Sequence, residues 1–217
     1  MNFASRFTAT TKSLMLTGAF AFVAITASVQ PLAAQAKKIE FDLHPSPSVV
    51  DCLGKKNGPT PTAHVTVTRG SLNDTLVIRA NNIKPHLAFD MFTVQRSNLL
   101  SDGTVDPNFT NFGLAWYQSD LEADEDGRFT ATIKTILLDQ IFGFDPDAGL
   151  APLNTFHVGF WFNNPNSAKK CGFDPTHPTP FNGEHKAGPV AMISVPDANT
   201  NLGPLCTNPN SNGTCNP

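Results

Sequence analysis

The sequence predicts an all-β domain: an antiparallel β-sandwich of about eight strands, Ig-like or Greek-key in type, with long loops and one short helical segment. Three observations carry this expectation. Short segments alternate apolar and polar residues with the period of two that a half-buried strand requires. Gly, Pro, Asn and Asp clusters separate them, with no strand–helix–strand alternation. Pro (18) and Gly (15) are frequent, and long Glu, Lys and Ala runs are missing, which favours strands and loops over helices.

Residues 1–36 read as a signal peptide. Arg6 and Lys12 make a positive start, Leu14 to Ala27 is an apolar run, and Ala34-Gln35-Ala36 has the small-x-small pattern of a cleavage site. That run is too short for a comfortable membrane span, which takes about 20 residues, and no later apolar run is long enough. The expectation is therefore a soluble chain, secreted or periplasmic, with a β-sandwich over 37–195 and a Pro/Asn/Gly-rich tail over 196–217.

Cleavage removes two of 15 basic residues and none of the 18 acidic ones, leaving a net charge of −5. Nucleic acid, which needs a basic stripe, is a poor partner for such a chain. Cys52, Cys171, Cys206 and Cys215 form an even set in an exported chain, which reads as two disulfides with three possible connectivities. The polar segment between Cys206 and Cys215 can close a small loop, so the expected pairs are Cys206–Cys215 and, by elimination, Cys52–Cys171.

Strands are expected in order over 38–43, 63–68 and 75–80, the last two a hairpin. The next is the strongly β-prone 87–95, followed by a long polar loop. Segments 112–121 and 128–135 flank the acidic turn EADEDG as a second hairpin, and 136–144 fits one or two helical turns. Strands over 155–163 and 189–195 close the domain, and the tail beyond is expected to be held only by its disulfide.

The stretch 155–189 holds the most unusual residues. Its strand puts Phe156, Val158, Phe160 and Phe162 on one face, the expected core. His157, Gly159, Trp161 and Asn163 fall on the other. With Trp116 and Tyr117 one hairpin earlier, Trp161 is a candidate aromatic surface for a glycan or another flat partner. His157, His177, Glu184 and His185 are candidate metal ligands, since imidazole and carboxylate suit zinc or copper. Glu122, Asp124 and Asp126, followed by Gly127, resemble the first half of a calcium loop, though Ile133 stands where the bidentate Glu would be. Asp90, inside an apolar strand, calls for a partner, with Arg79 and Arg96 the candidates.

Two resemblances follow from these residues. The strand–loop–hairpin arrangement with its D-x-D-G-R turn resembles small exported bacterial β-sandwich domains; this likeness implies no activity. Over about 35 residues, FHV, a Cys-Gly loop, P-x-H-P, FN and H-x-x-G-P are similar to the metal-loop region of copper/zinc superoxide dismutases. That similarity implies His157 as a copper ligand, His177 as the shared histidine, His185 as a zinc ligand and Cys171 as the loop half of a disulfide. Gly159 replaces the family's second histidine, and no histidine follows His185, so the copper set is incomplete.

No nucleophile elbow, phosphate-cradling loop, dinucleotide fingerprint or H-E-x-x-H is present. The expectation is a binding or scaffold protein without catalytic activity, its partner an extracellular glycan, peptide or surface component. The alternative is a metal-binding protein or metal-dependent enzyme using the histidines of 157–185. No cofactor is expected; zinc and calcium are the candidates.

Overall fold

A computed structural model of the chain describes residues 38–70, 73–135, 143–145, 150–153, 155–179 and 187–206. The expected signal segment over 1–36, residues 136–142 of the expected helical turns, Glu184, His185 and Cys215 lie outside the described residues, while Gly143 and Phe144 from the end of those turns lie in a strand.

Simple alternation builds one half of the molecule. In β1 (Lys38–Pro45), β2 (Thr62–Thr68) and β3 (Asp74–Asn81), Ile39, Leu43, Ala63, Val65, Val67, Leu76, Ile78 and Ala80 are all buried. Their neighbours Lys38, Glu40, His64 and Arg79 are exposed. Burying one face and wetting the other is what a period of two allows.

The other half is made differently. β4 (Ala88–Val94) and β9 (Thr155–Phe162) are almost unbroken apolar runs and are buried along nearly their whole length. Such runs fit strands covered on both faces. β5 (Ala115–Glu122), β6 (Phe129–Thr135) and β10 (Val190–Ile193) complete the eight main strands. Among the described residues the short β7 (Gly143–Asp145) and β8 (Leu150–Leu153) pair only with each other.

The eight strands form one antiparallel sheet, in the order β5-β4-β9-β10-β1-β2-β3-β6. β1 joins the halves: Lys38 to Leu43 pair with β2, while His44 and Pro45 pair with Ile193 and Met192 of β10. The sheet is nearly closed, like a barrel, and its terminal strands β5 and β6 are joined by the short connection 123–128. The all-β antiparallel expectation is met. The halves face each other across one core, where Phe129 of β6 lies 6.1 Å from the Phe89 ring and 5.6 Å from the Phe160 ring.

Two short helices lie where sequence reading expects loops. α1 (Val50–Leu53) sits in the Pro/Gly-rich connection, and a 3-10 helix spans Pro165–Cys171. The second is written locally: Asn164 accepts the Asn166 amide, Pro165 opens the first turn, and Gly172 ends it at φ 90°. The expected Cys52–Cys171 disulfide joins these two helices across a separation of 119 residues. The Cys206–Cys215 expectation falls on a residue outside the described set.

Residues 196–206 of the tail are more ordered than their composition suggests. β11 (Leu205–Cys206) pairs with Phe156 and Thr155 of β9, and Leu205 is buried. The folded domain therefore reaches at least residue 206 rather than ending near 195.

Closing so long a loop contributes about 4 kcal/mol in the chain-entropy picture. The Cys52→Ala/Cys171→Ala double variant is expected to lose stability of that order in urea unfolding; a loss below ~1 kcal/mol contradicts this role for the bond.

Candidate functional site

The two faces of β9 lead to two clusters. Phe156, Val158, Phe160 and Phe162 enter the main core, as their spacing predicts. On the opposite face Trp161 joins Phe92, Val94, Leu99, Val190 and Ile193 in a second apolar cluster. The Trp161 ring stands edge-on to Phe92 at 5.5 Å and to Phe112 at 5.1 Å.

This placement corrects the aromatic-platform expectation. Trp161 is 0% exposed, and Trp116 turns inward, 5.2 Å from the Phe156 ring. Only Tyr117 remains outside, at 52% exposure, edge-on to Phe92. The three aromatics do not form one exposed surface. Periodicity correctly separates the faces of β9 but carries no information on what covers them.

Gly159 is explained by the same cluster. A β-carbon there would stand 3.0 Å from the Met192 carbonyl oxygen and 3.1 Å from both the Ile193 side chain and the Trp161 ring. The place of the dismutase-like second histidine is thus filled by apolar packing. His157 and His177 are not brought into a joint site either. His177 Nδ1 bonds Asp174 Oδ2 at 2.8 Å within its own turn, and its side chain is 84% exposed. The Thr176 hydroxyl and amide, with His177, hold the Asp174 carboxyl down at about 2. Among the described residues no three His, Cys, Asp or Glu side chains converge on a metal position.

The calcium-like turn serves the backbone. Asp124 Oδ1 accepts the amides of Asp126 and Arg128, at 3.0 and 2.8 Å, closing the turn that links β5 to β6. The pairing corrects the expected second hairpin, since β5 pairs with β4 and β6 with β3 at opposite ends of the sheet order. Gly127, at φ 80°, brings its carbonyl to the Ile83 amide, where a β-carbon would strike Ile83. Asp90, fully buried, accepts a 2.9 Å hydrogen bond from Asn163 Nδ2, while Arg96 donates to Asn111.

What the structure does assemble is a cavity of about 460 Å³ beside the second cluster, bounded by segments 95–100, 106–110 and 196–202 together with Thr155 and His157. Its walls are locally stiffened. Asp106 Oδ1 accepts the Asn108 amide, and between the two wall segments Asp102 Oδ1 accepts both the amide and the hydroxyl of Thr104. On the other side Asp197 Oδ1 accepts the amides of Asn199 and Thr200 and the Thr200 hydroxyl. These bonds, the Thr200 amide foremost, keep the Asp197 carboxyl below its ordinary range. Asx turns of this kind fix loop geometry from the sequence itself.

His157 lines this cavity while being only 3% exposed. Its Nδ1 lies 3.0 Å from the Ser194 carbonyl, which can only accept, so that nitrogen carries the proton and Nε2 is left an acceptor. Burial pushes the imidazole down to about 4, against the Ser194 bond, which favours the proton. A second concavity of about 550 Å³ lies over segment 50–61 and Lys84, but its 55–60 stretch is entirely exposed. The first is the one whose lining includes the buried Gln95, Leu99 and His157. Sequence reading missed it because its walls come from segments far apart in the chain; the Asp-x-Asn and Asp-x-Thr turns were its only local sign.

No family model, curated protein or solved structure matches the chain.

The His157 environment sets a pH window. Unfolding frees the imidazole to bind a proton near its ordinary 6.5, whereas the folded state resists until about 4. Stability is therefore full above 6.5 and is lost as pH falls from 6.5 towards 4, by on the order of 3 kcal/mol. Urea unfolding at pH 7.0 and 4.5 should show most of that loss in the native chain and little of it in His157→Gln. Equal slopes in the two proteins contradict the assignment.

Proposed function

We infer that this chain is an exported, disulfide-stapled binding domain that takes a small molecule into the cavity beside His157 and performs no chemistry on it. The observation that carries this reading is the cavity itself: about 460 Å³, within the range of small-molecule sites, with polar groups beside buried apolar ones. Its Asx-turn walls favour binding, because a preformed site loses little entropy on receiving a ligand. His157 is neutral at neutral pH with Nδ1 committed to Ser194, which suits a fixed hydrogen-bonding wall better than a proton carrier.

Export is supported by the Cys52–Cys171 bond, which persists in oxidising compartments, and by the signal-like residues 1–36. Among the described residues no helix is long and apolar enough to cross a membrane.

The test is a thermal-shift screen of the mature protein against glycans, peptides and amino acids. A ligand at a hundredfold excess over its Kd adds roughly 2.7 kcal/mol, a rise of about 5 °C or more in Tm for a domain of this size. The cavity-filling Thr110→Trp variant should fold and lose that rise. A ligand that still stabilises this variant places binding elsewhere. Hydrolytic turnover abolished by His157→Gln overturns the non-catalytic reading.

A further inference from the structure

The lining of the cavity narrows the class of ligand, an inference that rests on the binding role just described. Arg96 and Asp106 are the two charged residues lining it, and both are half-buried. Neither forms an ion pair among the described residues. Arg96 Nη1 donates to the neutral side chain of Asn111 at 2.9 Å, and Asp106 Oδ1 accepts the Asn108 amide at 2.8 Å. Two partly desolvated charges of opposite sign thus border one space without neutralising each other.

That arrangement discriminates between ligand charges. An anion gains from Arg96 and is opposed by Asp106; a cation meets the reverse. A neutral ligand can hydrogen-bond to both but leaves both charges uncompensated at a site that binding desolvates further. A molecule carrying separate positive and negative groups satisfies both walls. The rest of the lining adds apolar surface from Leu99, Leu100 and Phe109, and Leu100 is among the few large apolar side chains left exposed, at 39%.

We propose that the cavity binds a zwitterion with an apolar side chain, of the size of an amino acid or dipeptide. Arg96 takes the carboxylate, Asp106 takes the ammonium, and the Leu99–Leu100–Phe109 side receives the side chain. Guanidinium-to-carboxylate pairing is the stronger half of this recognition because both partners are charged and can bond in parallel.

The experiment is calorimetric titration of the mature protein with L-leucine, L-leucyl-L-leucine, N-acetyl-L-leucine, L-leucine methyl ester and D-glucose. At least one of the two zwitterions should bind, and its N-acetyl or ester counterpart should bind roughly tenfold or more weakly, since each leaves one charged wall unpaired. In Asp106→Asn the penalty for N-acetylation should disappear while the penalty for esterification stays; Arg96→Met should do the converse. The ligand-side comparisons use the native protein, so they stand even if a variant misfolds. Blocked and free forms binding equally overturns the zwitterion assignment, as does glucose binding where neither zwitterion binds. In both cases a signal lost in Thr110→Trp leaves the binding role intact. If no amino acid, peptide or glycan binds at all, both readings fall together.

Discussion

Trp161 and its neighbours Phe160 and Phe162 leave β9 on opposite faces, so this strand must be covered twice. The inner cover is the other half of the sheet, reached through Phe129 and the β2–β3 face. β4 and β10 occupy both edges of β9 along that stretch, so strand pairing supplies no part of the outer cover. It is supplied by connections: the 95–114 loop brings Leu99 and Phe112, while Ala187 and Val195 approach from beside β10. Truncating a buried tryptophan costs about 3–5 kcal/mol, so holding these connections over Trp161 is a major constraint on the fold.

The same constraint accounts for the cavity. Loops that lie over a sheet rather than connect its edges need their own internal bonds, and Asp102, Asp106 and Asp197 provide them. Stiff loops do not collapse fully onto a pleated surface, and the space left between them is bordered by Thr155 and His157 of β9. Ser194 fixes the imidazole and also receives the Val158 amide, which ties the outer face of β9 to the chain leaving β10. Gly203 packs so closely that a β-carbon would come within 3.0 Å of His157 Nε2. Gly159, likewise, is small because Trp161 and Ile193 need the room.

Half of this was readable in the chain. The hairpin of β2 and β3 follows from strict alternation, since Val65 and Ile78 can be buried while His64 and Arg79 stay wet. The Cys52–Cys171 bond follows from cysteine count and loop length. The faces of β9 were legible, but the fate of Trp161 was not, because its cover is Phe112, which lies 49 positions earlier in the chain. Aromatic residues on a second face look alike whether they wait for a ligand or for a loop. The continuous apolar runs LAFDMFTV and TFHVGFWF were the signal that favours the loop. α1 and β11 left little trace, being four and two residues long and stabilised by a disulfide partner and by β9 respectively.

The central claim is that β9 is buried on both faces, with Trp161 sealed beneath connecting segments. Iodide quenching of Trp161 fluorescence in a Trp116→Phe background measures this most directly. A sealed indole gives blue-shifted emission and negligible quenching in the folded protein, with quenching restored in urea. Emission quenched as readily in the native state as in the unfolded one would mean that the second face is open, and the account of the loops and their cavity would fail with it.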